Sequence, residues 1–321
     1  MRWPQVMLLG PPFWQKTCAD ILKQINVGTS SYEETLSASR QGSFGQRWIQ
    51  AAGRLSSGPF RRSEAIHSLT PTSAQWLYGA ARMLGKRVFL HWIGSDVLKL
   101  GQLLRQNPQR WLSFYRHVAQ AHFADSPELA DELADLGLQA ELFRLLPSSI
   151  VPQDPLACPF PEKPGVLFYW SSQRREFYGG AVADGLIRAF PDVAFYVVGS
   201  DGVGEFQANN LTYLGKVSNM EDAYRKITVF IRMPEHDSLS AMVLECLARG
   251  RFVIYSKPFP HTQMARTLEE ARGALRRCLD EPAPNIEGAT FVLEHFTADQ
   301  EAQRIRSVYH RALGFITSEG S

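Results

Sequence analysis

Residues 231–254 read IRMPEHDSLSAMVLECLARGRFVI, and this stretch decides the fold. Residues 228–232 are apolar and β-branched enough for a buried parallel strand. Residues 239–248 place Leu239, Met242, Val243, Cys246 and Leu247 on one helical face. Gly250 stops that helix, and residues 252–255 begin the next strand. The reading is strand, short acidic loop, helix, strand. Asp237 lies in the loop and Glu245 on the helix, eight positions on. At about 1.5 Å per helical residue the two carboxylates stand roughly 10 Å apart. That separation excludes shared-proton chemistry and suits gripping two parts of one elongated ligand. Between them the N–H groups of Ser238, Leu239 and Ser240 open a helix, where anions and phosphate above all are favoured. Two hydroxyl grippers flanking an anion site outline a nucleotide-sugar site.

The stretch resembles the donor-binding motif of retaining GT-B glycosyltransferases of the family-four type. That motif runs acidic residue, Gly-Phe-Gly, a glutamate eight positions after the first acid, then Ala-x-Ala-x-Gly and a strand. In this chain it stands as Asp237-Ser-Leu-Ser followed by Glu245-Cys-Leu-Ala-Arg-Gly250. Asp replaces the first Glu, and Ser238 and Ser240 replace the two glycines. Neighbouring segments follow the same order. Residues 193–202 (VAFYVVGSDG) form a strand ending in a glycine turn. Residues 211–217 (LTYLGKV) and a polar helix over 219–226 come next. The resemblance implies that Gly199, Lys216 and Val217 line the nucleobase and diphosphate side of the donor pocket. Upstream, residues 165–170 (GVLFYW) read as the first strand of this half, and Arg174 and Arg175 follow it. The family carries an Arg and a Lys there, which stabilise the charge of the departing diphosphate. Tyr178-Gly179 stands where Lys-Gly is usual, leaving Arg174 and Arg175 as the candidate cations.

The first half reads as a second alternating unit. Residues 6–10 (VMLLG) are a strand ending in Gly10-Pro11-Pro12, and residues 17–25 a helix. This turn lacks the spacing of a dinucleotide-binding loop; Gly10 is expected beside the ligand. A short strand over 64–68, a helix over 73–84 and a strand over 87–92 follow. The run His91-Trp-Ile-Gly-Ser-Asp96 resembles one subgroup of the family, which implies that His91 lies at the donor sugar and acceptor. Asp96 is expected to cap a helix over 97–104. His67 is a weaker strand-end candidate, and His117 and His122 read as structural. Residues 121–125 form a strand, Ser126-Pro127 open a helix that Gly137 ends, and residues 141–146 form the last strand of this half.

With 321 residues, two domains are the natural division. Prolines at 147, 152, 155, 159, 161 and 164 mark a linker. The expected fold is α/β, two Rossmann-like domains facing a cleft in the GT-B manner. Residues 1–147 form the acceptor-side domain, 148–164 the linker and 165–297 the donor domain. The segment 298–321 holds a closing helix over 299–313 that the resemblance sends back to the first domain. The four cysteines are scattered and lack metal spacing, and no membrane span or signal segment is legible, so a cytoplasmic protein is expected. No metal or cofactor is expected; the donor is a UDP- or GDP-sugar, and the acceptor a glycan or lipid-linked glycan.

Net charge is +2, unevenly spread: residues 1–150 carry 16 Lys and Arg against 11 Asp and Glu, the remainder 18 against 21. Residues 40–62 hold Arg40, Arg47, Arg54, Arg61 and Arg62 with no acid, interleaved with Phe44, Trp48 and Phe60. This segment reads as a mobile acceptor loop or as a peripheral contact with the inner membrane face. The basic residues are too sparse for nucleic acid. The implied activity is retaining sugar transfer to an acceptor hydroxyl, in glycan, polysaccharide or glycolipid synthesis. The resemblance implies that Glu245 holds the ribose, Asp237 the sugar and Arg174 or Arg175 the diphosphate, and that attack comes from the front face with no protein nucleophile. Two other classes stay open: a catalytically weak GT-B subunit that binds or regulates a partner, and a nucleotide-sugar epimerase. The epimerase would need further acids and histidines at the cleft.

Overall fold

The computed structural model describes residues 4–32, 57–152 and 158–314. They form two compact units, one of residues 1–147 with 298–321 and one of residues 148–297. The chain therefore leaves the first unit once and returns to it through its last helix.

The first unit is a sheet of six strands: β1 (Gln5–Leu9), β2 (Gly28–Tyr32), β3 (Ala65–Ser68), β4 (Arg87–Trp92), β5 (Ala121–Ala124) and β6 (Glu141–Leu142). Its order is β2-β1-β3-β4-β5-β6, and every pairing is parallel. Parallel neighbours require crossover connections, and the crossover helices bury both faces of the sheet. Residues of β1 alternate between those faces. Met7 and Leu9 join Leu77, Tyr78 and Ala81 of the helix Gln75–Met83. Val6 and Leu8 join Cys18, Ile21 and Leu22 of the helix Pro12–Gln24, and Ile305 and Tyr309 of the closing helix Ala298–Ala312. Each such apolar side chain contributes about 1.5–3 kcal/mol on burial, which docks the returning helix on this unit.

The second unit repeats the plan with β7 (Gly165–Tyr169), β8 (Ala194–Val198), β9 (Leu211–Gly215), β10 (Val229–Arg232), β11 (Phe252–Tyr255) and β12 (Gln263–Met264). Its order is β12-β11-β10-β7-β8-β9, again all parallel. Strand order reverses between β7 and β10, so a crevice opens at their carboxyl ends, the place where open α/β sheets bind ligands. The four cysteines are buried free thiols.

Several local boundaries differ from the sequence reading. The first helix begins at Pro12 rather than residue 17, because proline suits the first turn and Pro11 holds an extended N-cap. The polar helix near 219–226 shrinks to Glu221–Tyr224. The strand read over 141–146 pairs only at Glu141–Leu142. The helix after β4 starts at Asp96 itself, with Ser95 at the N-cap and Asp96 Oδ2 accepting from the Ile93 N–H at 3.4 Å. Of the basic segment, residues 40–56 lie outside the described residues. Arg61 and Arg62 are exposed, but Phe60 is 2% exposed, packed in the core under the Lys86 ammonium, and so does not belong to a basic-aromatic surface. Among the described residues no helix is long and apolar enough to cross a membrane.

Buried ionisable groups of the first unit give its stability a defined pH profile. Burial, and His91 beside it, hold His67 well below the usual histidine range. Burial lowers His91 to about 3 and His122 to about 4, each partly offset by a backbone carbonyl partner. Burial raises Asp96 to about 7 and Asp125 to about 8. Between about pH 4 and 6.5 the unfolded chain gains three histidine protons, while the folded chain keeps two carboxyl protons that the unfolded chain has lost. The unfolded state thus binds more protons, and stability falls on acidification. Above pH 6.5 the sign reverses until both aspartates ionise. Unfolding midpoints measured from pH 4.5 to 8.5 are therefore expected to peak near pH 6.5; a flat or monotonic profile would contradict this assignment.

Candidate nucleotide-sugar site

The helix Ala241–Ala248 opens after Ser240, which is extended and makes no side-chain cap. Val243 and Leu244 N–H groups bond the Ser240 carbonyl at 3.0 and 3.3 Å. Ser238 and Leu239 are half-buried in the loop before it, and Ser240 is buried. Glu245, on the second turn, is 7% exposed. Both of its oxygens are engaged: the Ser149 hydroxyl donates to Oε1 at 2.6 Å, and the Tyr224 hydroxyl donates to Oε2. Burial, with Cys246 and Glu245 itself close by, pushes the Tyr224 phenol well above its ordinary range, so it stays a proton donor.

Asp237 is held by an arginine from the strand before it. Arg232, the last residue of β10, donates from Nε at 2.6 Å and from Nη2 at 2.9 Å to the two carboxylate oxygens. The Tyr255 hydroxyl stands 3.0 Å from Asp237 Oδ2 and 2.9 Å from the Ser238 carbonyl. Burial alone would lower the Arg232 pKa; the Asp237 charge and hydrogen bonds outweigh it and hold it above the usual range. The guanidinium also lies 5.8 Å from the Tyr169 ring and 5.2 Å from the Tyr178 ring. Asp237 is therefore one half of a fork-to-fork pair with Arg232.

The loop after β7 carries Arg174 and Arg175 through two 3₁₀ turns, Ser172–Arg174 and Glu176–Tyr178. Gly179 closes it with φ +83°, and a Cβ there would come within 2.9 Å of the Met233 carbonyl. Only glycine lets this loop lie against the end of β10. The two arginines have different fates. Arg175 meets Glu176 at 2.7 Å, Asp184, and Glu205 at 3.5 Å, a set of three acids that consumes its charge. Arg174 is exposed and stacks 4.0 Å from the Phe177 ring. Ser172, Arg174, Phe177, Asp184 and Glu205 line a cavity of about 520 Å³.

Gly199 ends β8 with φ +95°, and a Cβ would stand 2.5 Å from the Trp170 carbonyl, so the turn requires glycine. Its N–H bonds the Gly215 carbonyl at 2.8 Å, which sets Lys216 (exposed) and Val217 (half-buried) at the same edge. Glu205 pins this loop by accepting from Trp170 Nε1 at 2.7 Å and from the Ser200 hydroxyl.

Gly10 and His91 lie in the other unit. Gly10 ends β1, and its carbonyl accepts from Gln15 Nε2 at 2.6 Å. His91 departs from the sequence reading: it is 0% exposed, with both ring nitrogens bonded inside its own unit. Nε2 lies 2.8 Å from the Phe143 carbonyl, which can only accept, so Nε2 carries the proton and Nδ1 accepts from His67 Nε2 at 3.0 Å. His67 Nδ1 then accepts from the Tyr309 hydroxyl at 3.1 Å. This relay fastens the closing helix to β3 and β4. His91 is a packed strand histidine, held in the core by its two hydrogen bonds and the rings of Phe123 and Phe143. His117 is exposed and bonded to the Ser113 carbonyl at 2.6 Å, and His122 accepts from Trp92 Nε1 at 3.2 Å.

Arg232, Tyr224, Tyr255 and Ser149 were not singled out by the sequence reading. An arginine ending an apolar strand five residues before an acid is a signal for the first; the others have none, since their partners are distant in sequence. Among the described residues no group of three His, Cys, Asp or Glu side chains is placed to hold a metal ion.

No family model matches the chain, and no curated protein matches it by sequence. Solved structures do match. HepE from Anabaena, in complex with UDP and glucose, superposes with a TM-score of 0.71 at 11% identity, covering 96% of this chain and 99% of that one. Sucrose-phosphate synthase from Thermosynechococcus elongatus gives 0.73 at 12% identity, covering 97% and 99%. A glycosyltransferase from Rickettsia africae gives 0.69 at 10% identity, covering 98% and 99%. The chain therefore has the GT-B fold, the α/β architecture expected from residues 231–254. At these identities the likeness is one of fold.

Proposed function

We propose that this chain is a retaining glycosyltransferase that moves a sugar from a UDP- or GDP-sugar to an acceptor hydroxyl in glycan, polysaccharide or glycolipid synthesis. The observation that carries the reading is the placement of Glu245 and Asp237 on either side of a helix opening, at the carboxyl end of β10 beside the strand-order reversal. Glu245 grips the ribose hydroxyls and Asp237, oriented by Arg232, a sugar hydroxyl. The loop Ser238, Leu239 and Ser240, which leads into the N-terminus of the helix Ala241–Ala248, and the exposed Arg174 meet the diphosphate as it gains charge. Arg175 has a positioning part, holding the Glu205 loop, and Gly199, Lys216 and Val217 form the base side. Residues 1–147 with the closing helix supply the acceptor side, Gly10 included. A leaving diphosphate held in this way favours front-face attack without a protein nucleophile. HepE in complex with UDP-glucose supports a nucleotide-sugar donor. The action is cytoplasmic, with residues 40–56 and the exposed Arg61 and Arg62 as the segment for peripheral contact at the inner membrane face.

A second reading, a weakly catalytic GT-B subunit that binds a partner, is favoured by the burial of His91 and the engagement of Arg175 by three acids. A thermal-shift screen with UDP, GDP, ADP, CMP and their sugar conjugates separates the two. One nucleoside diphosphate is expected to stabilise the protein, by about 2.7 kcal/mol at a hundredfold excess over its Kd. No shift with any of them at millimolar concentration would overturn the donor-site reading and leave the partner-binding one.

A further inference from the structure

The two hydroxyl groups on Glu245 are unequal. The Tyr224 ring is 1% exposed, and its backbone carbonyl is anchored by Arg251 Nε at 3.0 Å. Its hydroxyl is a permanent part of the core. Ser149 is exposed, in the short turn Ser148–Ile150. That turn is tethered independently of the serine side chain: Arg249 donates to the Ser149 carbonyl at 3.1 Å and to the Ile150 carbonyl at 3.2 Å, and Glu221 holds Arg249 in turn. A rotation about one side-chain bond therefore frees Glu245 Oε1 without moving the backbone. What leaves is a hydroxyl donating to a carboxylate, the same chemistry that a ribose hydroxyl would bring.

We propose that the Ser149 hydroxyl occupies the place on Glu245 that a ribose hydroxyl takes when a nucleoside diphosphate binds, and that Ser149 thereby sets the affinity of the site. The inference rests on the donor-site reading above. A ribose hydroxyl that takes the Ser149 position exchanges one hydrogen bond to Oε1 for another, so its net gain there is small. With alanine at position 149 only water competes for that place, and ribose gains the bond net of that water.

The test is titration of the full chain and its Ser149→Ala variant with UDP, GDP, ADP and CMP, and with the 2′,3′-dideoxy form of whichever nucleotide binds. Ser149→Ala is expected to bind that nucleotide roughly three- to tenfold more tightly, the size of one hydrogen bond to a charged acceptor net of water. The dideoxy form is expected to show no gain. Unchanged or weaker binding by Ser149→Ala, or an equal gain with the dideoxy form, would overturn the inference. If Glu245→Gln meanwhile loses binding, the donor-site reading stands without it. Failure of both wild type and Ser149→Ala to bind any of the four nucleotides would overturn the two together.

Discussion

Glu245→Gln is expected to weaken nucleoside-diphosphate binding about a hundredfold and to lower turnover with the nucleotide sugar at least as much. A hydrogen bond to a charged acceptor contributes about 1.5–3 kcal/mol; a carboxylate facing ribose makes such bonds, and an amide offers only one acceptor oxygen. Glutamine is the informative substitution because it keeps an acceptor for the buried Tyr224 hydroxyl, which donates to Oε2. Alanine would leave that hydroxyl unpaired and confuse binding with stability. Calorimetric titration of the nucleotide alongside a sugar-transfer assay checks the expectation. Turnover that survives Glu245→Gln undiminished would show that the site has been assigned to the wrong residue.

The largest stability effect is expected at Arg251. Its side chain is 0% exposed and serves as a hub of carbonyls: Nε donates to Tyr224 O at 3.0 Å, Nη1 to Arg249 O at 3.1 Å, and Nη2 to Pro159 O at 2.7 Å and Cys158 O at 3.2 Å. Burial lowers its pKa, yet guanidinium remains charged at any pH the fold survives. Arg251→Met fills much of the volume and satisfies none of these oxygens. At about 1–3 kcal/mol for each carbonyl left buried without a donor, the loss is at least about 3 kcal/mol, a large part of a typical domain's stability. The expected result is a melting temperature lower by roughly 10 °C. An unchanged urea or thermal midpoint would contradict the account. The same variant is expected to loosen Tyr224 and, through it, Glu245.

These two residues mark what a local sequence pattern can single out and what it cannot. Glu245 stands out as a candidate because its pattern is local: spacing from Asp237, a helical apolar face and a terminating Gly250 all lie within one short stretch. Arg251 does not, because an arginine beginning a strand looks like any solvated charge until its carbonyl partners are known, and two of them lie 92 and 93 positions away.

The sequence by itself determined the alternation of strands and helices and the parallel sheets, and it marked the acid–helix–acid segment of the second unit. These follow from periodicity, chain-stopping glycines and proline placement, which act over a few residues. Tertiary structure alone decided which partner each polar group takes. Arg232 rather than solvent holds Asp237, three acids claim Arg175, and His91 turns into a core with His67 and Tyr309. Ser149 meets Glu245 across 96 positions. The physical reason is common to all: a buried charge or hydroxyl must be paired, and the partner is whichever group the folded backbone brings within about 3 Å, something no local pattern encodes.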